Sequence, residues 1–572
     1  MSGTIIIGGG VIGLSVAYHL AQRGMTDAVL LERNQLTSGT SWHAAGIVGP
    51  LRATPNMTWL ASQALSVFPD IERKTGLATG FRRTGGYWLA REAARLDQLH
   101  RIADLGVTQG LTPKVIPTDQ VTVPLLDLDP HVGALHVPED GNVNPVDLCM
   151  AYARGARNSG VELREGAQVS EILTQGGRAT GVRLADGSRL PAKNVILCAG
   201  AWSKPLAETA GLALPLQAVE HMYIVTEPVP DLPDPFPVIR DLDRGIYVKG
   251  DAGKLVIGGF EPDAKCWDAF GPEGDRPFLE LAEDWTQFGP FMEAALELIP
   301  TLDSVGIQHF MNGPESFTAD TKPLVGEAPQ MDGLFVAAGM NSVGVMSSAG
   351  IGRALADWVV DGHLAMDLWE VDIARADPRA ASGAHMQQRM KEAVADLFAM
   401  HWPYKQPEAG RSLRRSALHE RWASAGAVFG LTAGWERGLW YTKNPTERHL
   451  HYSVGPQVWT PIARREADVM RSGTALIDLS PFTKFDITGA DALTALNRRC
   501  TAQLDVPEGR AVYTQLLNPR GGIEMDVTLI RRSLDAFQLV SGAATRQRDL
   551  AYLRRNLSGD VRVTDRTEDV CT

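Results

Sequence analysis

The stretch that decides the fold runs from residue 4 to residue 46 and reads TIIIGGGVIGLSVAYHLAQRGMTDAVLLERNQLTSGTSWHAAG. Its initial apolar run is followed by G-x-G-x-x-G, formed by Gly8, Gly10 and Gly13. A helix-like stretch and a second apolar run ending on Glu32 come next. This order predicts a strand, a glycine turn, a helix and a second strand, the unit that binds dinucleotides.

The glycines and the acid of this unit each have a separate role. Gly8 permits the tight turn, Gly10 lets the backbone approach a pyrophosphate, and Gly13 lets helix and strand pack closely. The helix N-terminus offers free N–H groups to that pyrophosphate, and Glu32 is placed to accept from a ribose hydroxyl. A glycine turn alone can be merely structural, but this context favours an adenine dinucleotide, without separating NAD from FAD. The predicted contacts are Gly8, Gly10, Val11, Ile12, Gly13, Glu32 and Arg33.

The next segment, residues 37–46, is small, polar and glycine-rich around Trp42 and His43. It follows the second strand, where the chain can run along a bound cofactor. With S-W-H-A-A-G in this place, the sequence resembles the dimethylglycine and sarcosine dehydrogenases. The resemblance implies FAD joined covalently to His43 through the flavin 8α-methyl group, whereas a histidine beside a tryptophan is otherwise more often a packing or capping residue. The predicted cofactor contacts here are Gly39, Thr40, Ser41, Trp42, His43, Ala44, Ala45 and Gly46.

Two later turns and one strand also fit this family. A buried strand enters a small-residue turn at 199–202, and a second glycine turn at 339–344 feeds a helix predicted over 347–359. The segment N-G-P-E-S-F-T-A-D at 312–320 closely matches the family's pattern. By resemblance, the second turn meets the pyrimidine end of the flavin, and a strand valine contacts the adenine. The residues concerned are Val169, Ala199, Gly200, Trp202, Gly339, Asn341, Ser342, Gly344 and Val345.

The substrate side is predicted in residues 206–305, where several strand-like runs indicate an antiparallel sheet over the flavin. The family has a histidine and a tyrosine near the substrate. His221 and Tyr247 are the candidates, with Tyr223 as the alternative. The substrate amine must be neutral to give up a hydride, which requires either a nearby base, a role that His221 or Tyr247 could serve, or a pocket that lowers the pKa of the amine. The other reading is an ordinary strand histidine with packed tyrosines. Arg52 is the candidate for holding a substrate carboxylate, because an unpaired buried carboxylate is costly.

The C-terminal part, from residue 429, resembles the aminomethyltransferase domain of the glycine-cleavage T-protein. In that domain an aspartate after G-G-I contacts tetrahydrofolate, which points to Asp526, with Tyr513 nearby; the alternative is an aspartate at a hairpin end. The chain stops inside what looks like a strand, so the sequence predicts a partial domain. Either the sequence is truncated, a partner chain supplies the rest, or folate binding is lost. Tetrahydrofolate, the cofactor expected for the family, is therefore doubtful here.

Composition limits the class of protein. The chain has 572 residues, a formal net charge of −12 and 44% hydrophobic residues, which predicts two or three globular domains. No basic patch indicates nucleic acid, and no apolar run approaches the length of a membrane span. Five scattered cysteines without C-x-x-C indicate neither a metal site nor disulfides. Because the first strand begins at residue 4, we expect a cytoplasmic protein, with a mature mitochondrial matrix form left open.

The predicted fold is α/β: a Rossmann-type FAD-binding domain with an antiparallel-sheet substrate subdomain, followed by a partial α+β aminomethyltransferase-like domain. The expected domains are 1–365 (FAD-binding segments 1–80, 141–205 and 306–365; substrate subdomain 81–140 and 206–305), a solvated connector at 366–428, and 429–572.

The predicted function is FAD-dependent oxidative demethylation of dimethylglycine or sarcosine. Electrons pass to a flavoprotein or oxygen, and the complete family architecture transfers the one-carbon unit to tetrahydrofolate. Alternatives are a non-catalytic protein resembling the pyruvate dehydrogenase phosphatase regulatory subunit, which the intact glycine motif and His43 disfavour, and an enzyme for another secondary amine.

Overall fold

The structure, a computed structural model, describes residues 2–364, 366–402, 404–450, 452 and 454–572. The described chain forms two compact units. The first runs through Ile373 and includes Ala380–Lys405; the second contains Ala374–Arg379, residues 406–450 and Gly455–Thr572. The predicted boundary at residue 365 lies outside the described residues. No helix in the described part of the chain combines the length and apolar character that a membrane span needs.

Unit 1 alternates strands and helices along the chain. Its strands are β1 (Ser2–Ile7), β2 (Ala28–Leu31), β3 (Ile47–Val48), β4 (Arg82–Arg83), β5 (Gly86–Ala90), β6 (Lys114–Ile116), β7 (Gly133–Val137), β8 (Gly141–Asn142), β9 (Glu162–Arg164), β10 (Val169–Gln175), β11 (Arg178–Leu184), β12 (Arg189–Leu197), β13 (Leu216–Thr226), β14 (Val238–Asp241), β15 (Ile246–Asp251), β16 (Lys254–Gly259), β17 (Cys266–Trp267), β18 (Ile307–Thr318), β19 (Leu324–Glu327) and β20 (Leu334–Ala338). Its helices are α1 (Val11–Gln22), α2 (Pro55–Ser62), α3 (Ala64–Thr75), α4 (Ala93–Thr108), α5 (Pro145–Asn158), α6 (Ser203–Thr209), α7 (Trp285–Leu298), α8 (Gly344–Asp361) and α9 (Gly383–Ala393).

The first sheet of unit 1 has the Rossmann arrangement that the opening sequence predicts. Strands β9, β2, β1, β12 and β20 run parallel in that order, and β10 and β11 extend β12 as an antiparallel meander. Helix α1 packs against α5 and α8. Its residues Leu14, Val16 and Leu20 are fully buried, which explains why the helix is apolar on nearly all sides. Helix α8 begins three residues before the predicted start at 347.

The second sheet lies where the sequence predicts an antiparallel substrate subdomain, and its strands differ from the prediction in two ways. Its order is β17-β13-β16-β15-β14-β5-β7-β6, with β18 also paired to β13. Strands β14 and β5 pair in parallel, so the sheet is mixed rather than wholly antiparallel. Strand β18 was expected among the FAD-binding segments but pairs with β13 along nearly its full length, because the register between these two long strands continues from Leu216 to Thr226.

The region predicted as a solvated connector is partly core. In α9, Met386, Met390 and Ala393 are fully buried and pack in one cluster with Tyr247 and Phe317 of unit 1. These side chains recur at spacings of three and four residues, which place them on one helix face. The methionine-rich stretch therefore closes one side of the second sheet.

Unit 2 is an α+β domain. Its helices are α10 (His419–Ser424), α11 (Thr460–Ser472), α12 (Ala492–Asn497) and α13 (Arg546–Asn556); its strands are β21 (Ala427–Thr432), β22 (Trp435–Tyr441), β23 (Thr483–Thr488), β24 (Ala511–Leu517), β25 (Ile523–Ser533), β26 (Ala536–Ser541) and β27 (Arg562–Asp565). Strands β24-β25-β26-β23-β27 form an antiparallel sheet, and β21 pairs with β22. The expectation that the chain stops inside a strand is wrong: β27 ends at Asp565, and the Thr572 carbonyl accepts from the Leu479 N–H at 2.8 Å.

Candidate functional site

Unit 1 contains a cavity of about 640 Å³ lined by both of its large sheets. The glycine turn, Glu32 and the turn at 199–202 line one part of it; His221, Tyr223 and Tyr247 line another. The volume lies in the range of cofactor and ligand sites. The sequence-predicted residues that line the cavity are Gly8, Gly10, Val11, Ile12, Glu32, Arg33, Gly39, Thr40, Ser41, His43, Ala44, Ala45, Gly46, Arg52, Val169, Ala199, Gly200, Trp202, His221, Tyr223, Tyr247, Ser342, Gly344 and Val345.

Four predicted cofactor residues lie behind the lining. Gly13 is inside α1, where a Cβ atom would collide with the Gly8 carbonyl oxygen. Trp42 packs edge-on against His43. The Asn341 side chain accepts from the Thr318 N–H at 2.9 Å and, with Gly339, holds the turn before α8. These residues shape the turns that the lining residues occupy.

The glycine turn fits a dinucleotide phosphate. Gly8 has a φ of +111°, and a Cβ atom there would collide with the Cys198 carbonyl. A Cβ atom at Gly10 would lie 3.0 Å from Ser41 Oγ, and that hydroxyl accepts from the Val11 N–H at 2.9 Å. The turn is therefore closed by backbone and small polar groups, which leaves room for the close approach of a phosphate.

The acid at the end of β2 is held by backbone donors. Glu32 accepts from the Gly9 N–H at 2.7 Å and from the Asn34 N–H at 2.9 Å. Each carboxylate oxygen keeps a further lone pair for a ribose hydroxyl. Arg33 lies over the Trp202 ring at 4.3 Å from the centroid, which places a flat cation beside the same part of the cavity.

His43 belongs to a short 3-10 turn, Thr40–His43, and is buried. Its ring lies against the backbone of β18: a Cβ atom at Gly313 would be 2.8 Å from its Cε1 and Nε2 atoms. Burial, reinforced by the charge of His221, lowers the pKa of His43 to about 4. The imidazole is therefore neutral at physiological pH and keeps the nitrogen lone pair that an N–C bond to a flavin methyl group requires. This chemistry fits FAD.

His221 lies on β13 directly opposite Gly313 and is buried. Its Nδ1 atom is 2.9 Å from Glu261 Oε2, and its Nε2 atom is 3.3 Å from Ser342 Oγ and 3.8 Å from Glu315 Oε2. Burial disfavours the charged ring, but the two carboxylates outweigh it and raise the pKa of His221 to about 9. The ring is then protonated at neutral pH, which works against the predicted role as proton acceptor.

The two tyrosines lie in one transverse row of the second sheet. Tyr247 is opposite Gly258, and Gly258 is opposite Tyr223. A Cβ atom at Gly258 would collide with the Tyr247 ring, so the absent side chain makes room for that ring. Burial raises the pKa of Tyr223 to about 12 and that of Tyr247 well above its usual value. Both phenols therefore stay neutral at physiological pH, which works against the predicted role of Tyr247 as a base and leaves its hydroxyl able to donate a hydrogen bond.

Arg240 continues the same row, opposite Tyr247, and shares the cavity with Arg52. Arg240 forms an ion pair with the fully buried Asp140, and its Nη2 atom has no hydrogen-bond partner in the described residues. Burial lowers the pKa of Arg52 to about 10, and the charge of Arg240 adds to this effect. Two guanidinium groups face one carboxylate here, so this end of the cavity carries a net positive charge that suits an anion.

The sequence interpretation missed three charged residues of this site: Arg240, Glu261 and Glu315. Arg240 stands within the strand-like run Val238–Asp241, and a charged residue in an apolar strand is the signal that could have indicated it. Glu315 lies inside the N-G-P-E-S-F-T match but was given no role. Glu261 follows β16 without a motif, and only the folded sheet brings it to His221.

Comparison with known proteins gives the class. Residues 4–358 match the family described as FAD dependent oxidoreductase, and residues 361–416 match the central domain of FAD dependent oxidoreductases. The protein is therefore an FAD-dependent oxidoreductase that acts on CH–NH groups. Residues 418–572 match the GCVT N-terminal domain. The chain belongs to the sarcosine and dimethylglycine dehydrogenase family. Because its C-terminal region matches an aminomethyltransferase-type domain, the expectation of a truncated domain there is wrong.

The most similar relatives include three proteins of about equal coverage. The chain is 40% identical over 561 residues to 4-methylaminobutanoate oxidase (formaldehyde-forming) of Paenarthrobacter nicotinovorans, covering 97% of this chain and 68% of the relative. Human mitochondrial sarcosine dehydrogenase is 32% identical, with coverages of 99% and 67%. The mouse mitochondrial pyruvate dehydrogenase phosphatase regulatory subunit is 33% identical, with coverages of 97% and 64%. The chain thus spans about two thirds of each relative's length.

Among solved structures, glycine oxidase from Geobacillus kaustophilus is similar with a TM-score of 0.56 and 26% identity. That match covers 65% of this chain and 98% of the other. The oxidoreductase match over residues 4–358 lies within unit 1.

Proposed function

We propose that this protein oxidises the N-methyl group of a small amino acid that carries a carboxylate and releases the one-carbon unit as formaldehyde. The observation that supports this best is the cavity itself, which brings the neutral His43, the charged His221 and two arginines together. FAD, held by the glycine turn, Glu32 and His43, supplies the acceptor for a hydride from the N-methyl carbon. We propose that His43 carries the flavin covalently, as the family resemblance implies.

The arginine pair is proposed to bind the substrate carboxylate. Arg240 lines the cavity and pairs with Asp140 through Nη1, and its buried Nη2 atom has no hydrogen-bond partner in the described chain. Arg52 also lines the cavity, and its side chain contacts the Met346 sulfur at 4.0 Å. An incoming carboxylate would neutralise the surplus positive charge of the two guanidinium groups. Tyr247 lines the same cavity, and its neutral hydroxyl lies over Gly258.

The substrate amine must be neutral to give up a hydride. His221 and Tyr247 keep their protons at neutral pH, so neither removes one from the ammonium. Burial and the surplus positive charge of Arg52 and Arg240 are instead proposed to lower the pKa of the bound ammonium, which favours binding as the free amine. The product iminium reacts with water to give formaldehyde and the demethylated amine.

Folate capture is proposed to be weak in this chain. On the hairpin of β24 and β25, Tyr513 is 67% exposed and Asp526 is exposed, with Gln515 donating to its carboxylate at 3.0 Å. Neither residue lines the second described cavity, which lies among α11, β22 and the following loop. A pterin site needs enclosing walls, and this hairpin supplies only one.

A substrate panel tests the proposal. Purified protein is given dimethylglycine, sarcosine, 4-methylaminobutanoate and proline, while flavin bleaching, formaldehyde and hydrogen peroxide are measured. Bleaching with formaldehyde from one of the three N-methyl amino acids is expected; peroxide identifies oxygen as the electron acceptor. Bleaching by proline alone would contradict demethylation. A protein that carries flavin but is reduced by none of them would favour the regulatory function named for the mouse relative.

A further inference from the structure

We propose that Glu261 is a positioning residue for the reaction, which holds His221 as a doubly protonated hydrogen-bond donor aimed at Ser342 and the cavity. This assigns a role to a carboxylate that does not itself line the cavity. It deepens the proposed amine oxidation, and its first test requires no turnover.

The geometry around Glu261 fixes the orientation of the ring. The carboxylate lies 3.2 and 2.9 Å from His221 Nδ1 through its two oxygens, and Oε1 also accepts from the Met222 N–H at 3.1 Å. Glu261 is fully buried, so its charge is not screened by water. A carboxylate so placed only accepts, and therefore Nδ1 must carry a hydrogen. The opposite nitrogen, Nε2, then faces the cavity.

Two groups on the cavity side of the ring are close enough to accept a hydrogen from His221 Nε2. Ser342 Oγ is 3.3 Å away and Glu315 Oε2 is 3.8 Å away. Both are able to accept a hydrogen from Nε2, and Glu315 favours the charged ring across this distance. Ser342 stands in the turn before α8, which also lines the cavity. A protonated Nε2 thus gives the turn a hydrogen-bond donor, and the charge of the ring is balanced by the neighbouring carboxylates.

The other groups facing His221 do not replace Glu261. From the 3-10 turn comes His43, which is neutral and, were it charged, would oppose a charged His221. Tyr247 on β15 is a neutral phenol. Phe260, directly after β16, is apolar, and its ring centroid lies 5.4 Å from that of His221. Phe317 from β18 packs edge-on at 5.9 Å. Glu261 and Glu315 are therefore the carboxylates that hold the charge, and Glu261 makes the direct contact.

The first experiment measures the protonation of His221 directly. Full-length holoprotein labelled with ¹⁵N-histidine is titrated, and the His221 signals are assigned by their loss in His221→Gln. In wild type, both nitrogens are expected to be protonated at pH 7.5. In Glu261→Gln, which keeps the shape but removes the charge, we expect the pKa of His221 to fall by at least about one unit, since an opposite charge at this range shifts a pKa by roughly 1–3 units.

A matched control separates this effect from loss of any buried carboxylate. Asp241, on β14 of the same sheet, is fully buried and lies 3.1 Å from Nε2 of the buried His131, outside the cavity lining. Asp241→Asn should leave the His221 signals unchanged. Glu261→Asp keeps the charge and should retain a protonated His221, which provides a second variant if the glutamine variant folds poorly.

The second readout is the rate of flavin reduction by substrate as a function of pH. Glu261→Gln should add an ionisation to this profile below pH 8, which Asp241→Asn should lack, with flavin content equal in all variants. A His221 that is neutral at pH 7.5 in wild type, or unchanged signals and profile in Glu261→Gln, would overturn the assignment. If no substrate reduces the flavin, the proposed function fails, while the titration still decides the role of Glu261.

Discussion

The substitution Arg52→Met most directly tests the anion site, the end of the cavity lined by Arg52 and Arg240. Methionine keeps most of the length of the side chain but removes its charge and donors. Arg52 has no ion-pair partner within the described chain, so its removal leaves no buried carboxylate unpaired. Removal of Arg240 would instead strand Asp140, at a cost of about 3–5 kcal/mol in folding free energy. Arg52 is therefore the arginine whose loss reports on binding rather than on folding.

The expected loss of activity follows from the hydrogen bond between Arg52 and the substrate carboxylate that the variant cannot form. A hydrogen bond to a charged group contributes about 1.5–3 kcal/mol. The variant should therefore lose roughly 10- to 150-fold in kcat/KM for a carboxylate substrate, since about 1.4 kcal/mol corresponds to a factor of ten. The free energy of unfolding should stay equal or rise, because a buried charge without a carboxylate partner has been removed.

The assay compares each substrate with its carboxamide, which lacks the negative charge. Wild type should strongly prefer the carboxylate substrate. Arg52→Met should lose most of this preference, mainly because its kcat/KM for the carboxylate substrate falls. Arg52→Lys is the control and should retain part of it, because a charge remains without the planar guanidinium. An equal fall for carboxylate and carboxamide, or a fall in unfolding free energy that matches the loss of activity, would refute the anion-site reasoning.

The remaining predictions concern the flavin, the pH response and the product. His43→Ala should yield a folded protein whose FAD is released by acid, whereas wild-type flavin should stay attached; complete release from wild type would disprove the covalent link. Gly10→Val should abolish flavin binding, because the side chain meets Ser41 Oγ and the phosphate path, and stoichiometric flavin in that variant would contradict the placement. His221 has a folded pKa of about 9, above its ordinary 6.5, so its contribution to stability is present below pH 6.5 and is lost as the pH rises through 9. Denaturant titrations at pH 6.5 and 9 should show a smaller loss of unfolding free energy in Glu261→Gln than in wild type, and equal losses would refute this origin. Calorimetry should show weak or no binding of tetrahydrofolate, with free formaldehyde as product; tight binding that is lost in Asp526→Ala would reverse this conclusion.

The nucleotide end of the site was predictable because its chemistry is local. The glycine turn, α1 and β2 follow one another in the chain, and each glycine is required by a backbone contact within this short segment. Hydrophobic periodicity therefore indicated the elements, and the motif indicated the ligand class. The predicted start of α8 was late because the apolar pattern does not show where the preceding turn ends.

The substrate end was less predictable because it is assembled across strands. Arg240, Tyr247, Gly258 and Tyr223 come from four strands, and only their register places them in one row. Sequence supplied the residue types but not this register. The protonation states of the site could not be predicted from sequence either, because the proton on His221 depends on Glu261, which lies 40 residues away along the chain.

The burial of α9 has a practical consequence for anyone who shortens this chain. Cutting where the oxidoreductase match ends, near residue 358, or at the predicted border near 365, would remove Met386 and Met390 and also Phe398, whose ring lies against Phe260 beside the cavity. A minimal recombinant oxidase should extend through Lys405. Deletions that end earlier should give aggregation-prone, protease-sensitive protein with impaired turnover, because the apolar side chains that pack against α9, including Tyr247, would face solvent.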